Sequence, residues 1–198
     1  MIVPLETGER LLRPYLPRIA QAIQEGQRDL NGALGDRRYL FKPRSLSSGR
    51  NDCVINAARR IFEPDDNVWF ESRQGRDIMY IRDEAVIFFK KLDRSRRTRN
   101  IPTLLAQMLF SQQELPDMPP ATPRFVAGWQ MDSLGIAIQT MLITHPNAYG
   151  YEWFISLDDY GPAGMAVQLI PTPRVDSGPP SVHKKAKGDA DERSATSG

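Results

Sequence analysis

Apolar positions along this chain follow a helical period first and a strand period later. Between Gly8 and Ala33, Leu11, Leu12, Tyr15, Leu16, Ile19, Ala22 and Ile23 form a stripe at helical spacing. Pro14 and Pro17 forbid one continuous helix, because each removes an amide donor and crowds the preceding turn. The pattern predicts a first turn ending near Arg13 and a main helix starting near Pro17, where proline is tolerated. Asn31-Gly32 or Gly35 then stops it. Arg37 to Gly49 is polar and turn-rich and reads as a loop with a short extended piece at Tyr39-Leu40-Phe41. A second helix is expected from Asn51, as its cap, to Phe62, with Val54, Ile55, Ala58, Ile61 and Phe62 on one face. Pro64-Asp65-Asp66-Asn67 ends it.

The period then drops to two. Val68–Arg73, Asp77–Ile81 and Ala85–Phe89 read as three short strands, with turns at Gln74-Gly75 and Arg82-Asp83-Glu84. A third helix is expected over Leu104–Gln113, followed by the proline-rich connector Pro116–Pro120. Three more strands are expected at Arg124–Met131, Gly135–Thr144 and Tyr151–Leu157, with turns at Asp132-Ser133 and Pro146–Gly150. The expected fold is α+β: an antiparallel sheet built from two three-stranded meanders with helices on one face. The expected organisation is an N-terminal helical segment (1–36), an α+β domain (37–170) and a disordered tail (171–198). That tail is rich in Pro, Ser, Gly and Lys and too poor in bulky apolar residues to offset its ordering entropy.

Composition narrows the function classes. No apolar run is long enough to span a bilayer, and Met1–Glu6 does not read as a signal peptide, so a cytoplasmic protein without a membrane partner is expected. The single cysteine, Cys53, and the two histidines, His145 and His183, leave no set for a disulfide or a multi-Cys or His-rich metal site, and no cofactor is expected. Cys53 reads as a half-buried structural thiol and His145 as a surface turn residue. The net charge of +2 is unevenly spread: −1 over residues 1–36, +7 over 37–99 and −4 over 100–198.

The basic middle culminates in Phe88–Thr103, where Lys90, Lys91, Arg94, Arg96, Arg97 and Arg99 accompany one carboxylate, Asp93, directly after an apolar run. These six cations are the candidate site for nucleic acid or for an acidic partner face. Metal-dependent nuclease chemistry fits poorly. Glu84 and Lys90 are six residues apart, whereas an acid and lysine on one strand face would stand much closer. In a metal-free ribonuclease the arginines would hold phosphates and Trp69, Tyr80 and Trp129 would stack on bases, unless those aromatics fill the core. A third reading gives the cations no ligand and has them protect an edge strand.

A set of short blocks resembles a group of bacterial and phage-carried proteins. The blocks are Gly75-Arg76, Phe89-Lys90-Lys91-Leu92-Asp93, Arg99-Asn100-Ile101-Pro102-Thr103, Glu114–Pro119, Val126-Ala127-Gly128-Trp129-Gln130 with Asp132, and Ile138-Gln139-Thr140. That group is similar to the partner gene of regulators joining a helix-turn-helix domain to a zinc-peptidase-like domain, the Rosmer-type toxin–antitoxin or phage-defence modules. The likeness covers about residues 50–157 and brings no catalytic residues with it. It implies a cognate regulator as partner and a toxin-like effector role, with RNA or DNA as a possible target. A non-catalytic nucleic-acid-binding protein and a structural or interaction protein are the alternatives.

Overall fold

A computed structural model of the protein describes residues 2–73, 75–82, 84–98, 108, 122–148 and 150–160. The helix predicted over Leu104–Gln113, apart from Met108, and the tail predicted from residue 171 lie outside the described residues, as does Arg99.

Three helices lead the chain: α1 (Leu5–Leu12), α2 (Leu16–Leu34) and α3 (Pro43–Phe62), with a 3₁₀ helix over Gly35–Leu40 between the last two. The break between α1 and α2 falls where Pro14 dictates, and Pro17 sits in the first turn of α2. Gly35, at φ +47°, ends α2. α3 begins eight residues earlier than its pattern predicts, and Asn51 lies inside it rather than capping it. Pro43 starts α3 as Pro17 starts α2. The end of this extension packs on α2: Gly49 faces Leu30, and Arg50 is buried at 2% exposure. Its Nε donates to Gln27 Oε1 on α2 at 2.5 Å. The two helices approach so closely that a Cβ on Gly26 would collide with the Val54 backbone. Arg18 closes the pair, donating to Asp65 at 2.7 Å while lying 4.5 Å from the Phe62 ring centroid.

The strands are β1 (Val68–Arg73), β2 (Arg76–Ile81), β3 (Ala85–Lys91), β4 (Arg124–Met131), β5 (Ile138–Asn147) and β6 (Gly150–Ser156). They form one six-stranded sheet in the order β1-β2-β3-β4-β5-β6, so the expected antiparallel pair of meanders is corrected to a single mixed sheet. The join is a parallel β3–β4 pair in which Val86 faces Arg124 and Phe89 faces Ala127; all other pairs are antiparallel. Two separate sheets would have exposed a row of unsatisfied amides on β3 and another on β4, and pairing them removes both edges.

Strand alternation divides the sheet's apolar residues between two cores. Met79, Ile87, Phe89, Phe125, Trp129, Ile143 and Ile155 face the three helices. Ile78, Tyr80, Val86, Phe88, Val126, Leu142 and Phe154 face the other way, with Leu92, Met108 and Tyr151 packed against them. Both faces of β3 are covered, which is why Ala85–Phe89 reads as an unbroken apolar run.

β5 starts and ends three residues later than its pattern predicts. At its start, Asp132 accepts from the Ile136 amide at 2.7 Å and the Ala137 amide at 3.2 Å, which keeps residues 133–137 out of the ladder. At its end, His145 and Pro146 stay in the sheet by pairing with Trp153 and Tyr151 across a bulge.

Candidate functional site

The six candidate cations start from a strand, so alternation sorts the first two. Lys90 shares the face of Val86 and Phe88, and Lys91 shares that of Phe89. They therefore point to opposite sides of the sheet. Lys90 is half-buried, and its ammonium pKa is depressed by burial and by the nearby Arg76, with Asp77 opposing. Lys91 is exposed.

Beyond Lys91 the chain turns back onto the sheet at Leu92, which is buried, while Arg94, Ser95 and Arg97 are exposed. The Leu92 amide continues the parallel ladder by donating to the Trp129 carbonyl at 2.9 Å. Its side chain lies on Gly128, where an added Cβ would sit 2.5 Å from Leu92 Cδ1. The glycine of the Val-Ala-Gly-Trp block thus marks a close approach between loop and sheet. Leu92 and Thr98 bridge, closing residues 92–98 into a compact loop.

Asp93 organises that loop. Its Oδ1 accepts from the amides of Ser95 at 2.8 Å and Arg97 at 2.9 Å, while its own amide donates to the Arg97 carbonyl at 2.8 Å. The Gln130 side-chain amide donates to the Asp93 carbonyl, tying the loop to β4. The one carboxylate of the basic stretch is thus engaged with backbone, as in an Asx-turn.

The arginines follow from this geometry. Arg96 is the only non-glycine residue at positive φ (+60°) among those described, a conformation that costs about 1–2 kcal/mol for an L-residue. Its guanidinium lies 4.1 Å from the Phe154 ring centroid, and Nη1 donates to the Tyr151 hydroxyl at 3.5 Å. The Arg97 side chain runs along Gly150 at the β5–β6 turn. Arg94 projects into solvent. Among the described residues, no carboxylate forms an ion pair with Arg94, Arg96 or Arg97. The structure therefore brings Arg94, Arg96 and Arg97 onto one loop and leaves Lys91 on the opposite face.

Sequence reasoning missed the supports of this loop: Gly128, Gln130, Tyr151 and Phe154. Only Gly128 carries a signal, as a glycine inside a strand.

The other candidates resolve by burial. Trp129 is fully buried, Tyr80 is 2% exposed, and Trp69 is 38% exposed with its indole stacked on Tyr80 at 5.2 Å. Two of the three aromatics are core residues and cannot stack on bases. His145 is fully buried rather than a surface turn residue. Its Nε2 accepts from the Val3 amide at 3.1 Å and its Nδ1 lies 3.2 Å from the Arg124 carbonyl, which fixes a neutral ring protonated on Nδ1. The Trp153 indole N–H donates to the Val3 carbonyl at 2.7 Å, so His145 and Trp153 together latch the N-terminal segment. Burial pushes the imidazole pKa down. Cys53 is half-buried, and burial raises its thiol pKa. Among the described residues no group of three or more His, Cys, Asp or Glu side chains can hold a metal ion.

Comparison with known proteins returned no match among family models, curated proteins or solved structures.

Proposed function

We propose that this protein binds a polyanion, with nucleic acid as the ligand, through the arginine loop over residues 92–98. One observation carries the reading: Arg94, Arg96 and Arg97 sit on one ordered loop without a carboxylate in ion-pair range among the described residues, and Asp93 is engaged with backbone amides. Cations that form no ion pair among the described residues and are held on an ordered loop suit phosphate contacts, which need positive charge and fixed direction. The loop holds no residue set for general acid–base chemistry, so binding rather than catalysis is the role it supports.

The resemblance of the sequence blocks extends this reading to the effector half of a two-gene toxin–antitoxin or phage-defence module, with a cognate regulator covering the loop. Both readings use the same surface and are separable by experiment. For binding, fluorescence anisotropy with single-stranded RNA and duplex DNA should show affinity falling with a log–log salt slope of about −2 to −3 for three phosphates. Joint replacement of Arg94, Arg96 and Arg97 by Ala should remove that slope. Affinity that is flat in salt, or unchanged in the triple variant, overturns the assignment. For the effector role, induced expression should arrest growth, and the triple variant should not. Normal growth with the unaltered protein removes the effector reading and leaves binding standing.

A further inference from the structure

Among the described residues, five of the seven exposed large apolar side chains belong to two neighbouring segments: Tyr39 (82% exposed), Leu40 (64%) and Phe41 (45%) at the 3₁₀ helix, and Leu134 (78%) and Ile136 (49%) in the β4–β5 loop. Arg38 fastens the segments together, donating to the Gly135 carbonyl and, at 3.1 Å, to Asn31 Oδ1. The loop is fixed further by Gln27, whose amide donates to the Ile136 carbonyl at 3.2 Å, and by the amide contacts of Asp132. Apolar tips on a braced scaffold are not explained by folding, since Tyr39, Leu40 and Leu134 keep most of their surface in water and Phe41 and Ile136 nearly half.

We propose that this apolar tip docks onto an anionic lipid bilayer. Arg37, Lys42 and Arg44 are all exposed in the same segment, so residues 36–44 hold four cations against the single acid Asp36. Aromatic and aliphatic tips flanked by cations insert their apolar parts below the headgroups and pair their charges with anionic lipid. A second copy of the chain is a poor occupant, because a self-complementary contact would bring two net-positive patches together. An acidic protein face matches the charge, but two loops carrying protruding side chains suit a deformable bilayer better than a preformed groove. No helix among the described residues can cross a membrane, and docking at the surface does not need one.

Co-sedimentation of the full chain with vesicles tests this. Partition into phosphatidylcholine vesicles carrying about one third phosphatidylserine should exceed that into pure phosphatidylcholine roughly tenfold at low salt. The double variant Leu40→Glu/Leu134→Glu should lose most of that partition, about tenfold or more, with its melting temperature unchanged because both side chains are exposed. A variant with Arg94, Arg96 and Arg97 replaced by Gln should keep it, which separates this surface from the arginine loop. No partition into the anionic vesicles, equal partition of the double variant, or its loss in the loop variant overturns the proposal. Binding to polyglutamate in place of vesicles also overturns it, in favour of an acidic protein face.

Discussion

Leu92 rests on Gly128 of the neighbouring parallel strand, with no room for a Cβ between them. This contact turns the chain back onto the sheet at the end of β3 and holds the loop that carries Arg94, Arg96 and Arg97. Gly128→Ala should therefore lift Leu92, cost about 1–3 kcal/mol in urea unfolding and weaken RNA binding together. Full stability in the variant would show that the loop does not depend on this seat.

Arg96 holds a left-handed backbone and a ring contact at once, and two substitutions separate these. Arg96→Ala loses the contact and keeps the strain, whereas Arg96→Gly loses the contact and relieves the strain. The glycine variant should be the more stable by about 1 kcal/mol in chemical denaturation. The reverse order would contradict the positive φ.

Stability should fall as the solution is acidified below about pH 6.5, the ordinary histidine value. Burial makes the folded-state pKa of His145 lower than the unfolded one, so between the two values the unfolded chain binds the extra proton. The contribution is fully present above the unfolded pKa and is lost as pH falls through the folded one. Melting curves between about pH 5 and 8 should slope downward toward acid, and His145→Gln should flatten them. An unchanged slope in that variant would assign the effect to other groups.

The Tyr80 hydroxyl is buried with no hydrogen-bond partner among the described residues. Removing an unsatisfied polar atom while keeping the ring leaves the stacking on Trp69 intact. Tyr80→Phe should be neutral or stabilising by up to about 1 kcal/mol, and a loss above that in urea unfolding would reveal a partner for the hydroxyl.

Lys91 and Arg94 are three residues apart, but Lys91 belongs to the strand on the Phe89 side of the sheet whereas Arg94 stands exposed on the 92–98 loop. Lys91→Ala should leave RNA affinity within about twofold, while Arg94→Ala should reduce it roughly threefold or more and lower the salt slope by about 0.7. Equal losses would mean that the ligand wraps the strand end rather than seating on the loop.

Local chemistry determined a large part of this protein. The α1–α2 break follows from Pro14, the end of α2 from Gly35, and β1 to β4 from apolar runs bounded by turn residues, because each depends on neighbours within a few positions. The pattern also located the basic stretch at the end of a buried strand. Tertiary structure alone decided the rest. The parallel β3–β4 pair joined the two strand blocks into one sheet, and pairing between distant strands leaves no periodic trace in either. α3 extended through a segment that reads as a loop, where Gly49 meets Leu30 and Arg50 donates to Gln27 on α2. His145 became a core residue once β6 and Val3 supplied its neighbours. Lys90 and Lys91 were divided by a period of two that the sequence contains, but Phe154, Tyr151 and Gly128 reach the loop of Arg94, Arg96 and Arg97 only across the sheet. Contacts between residues far apart in the chain carry no local signature, and they are what positioned the loop.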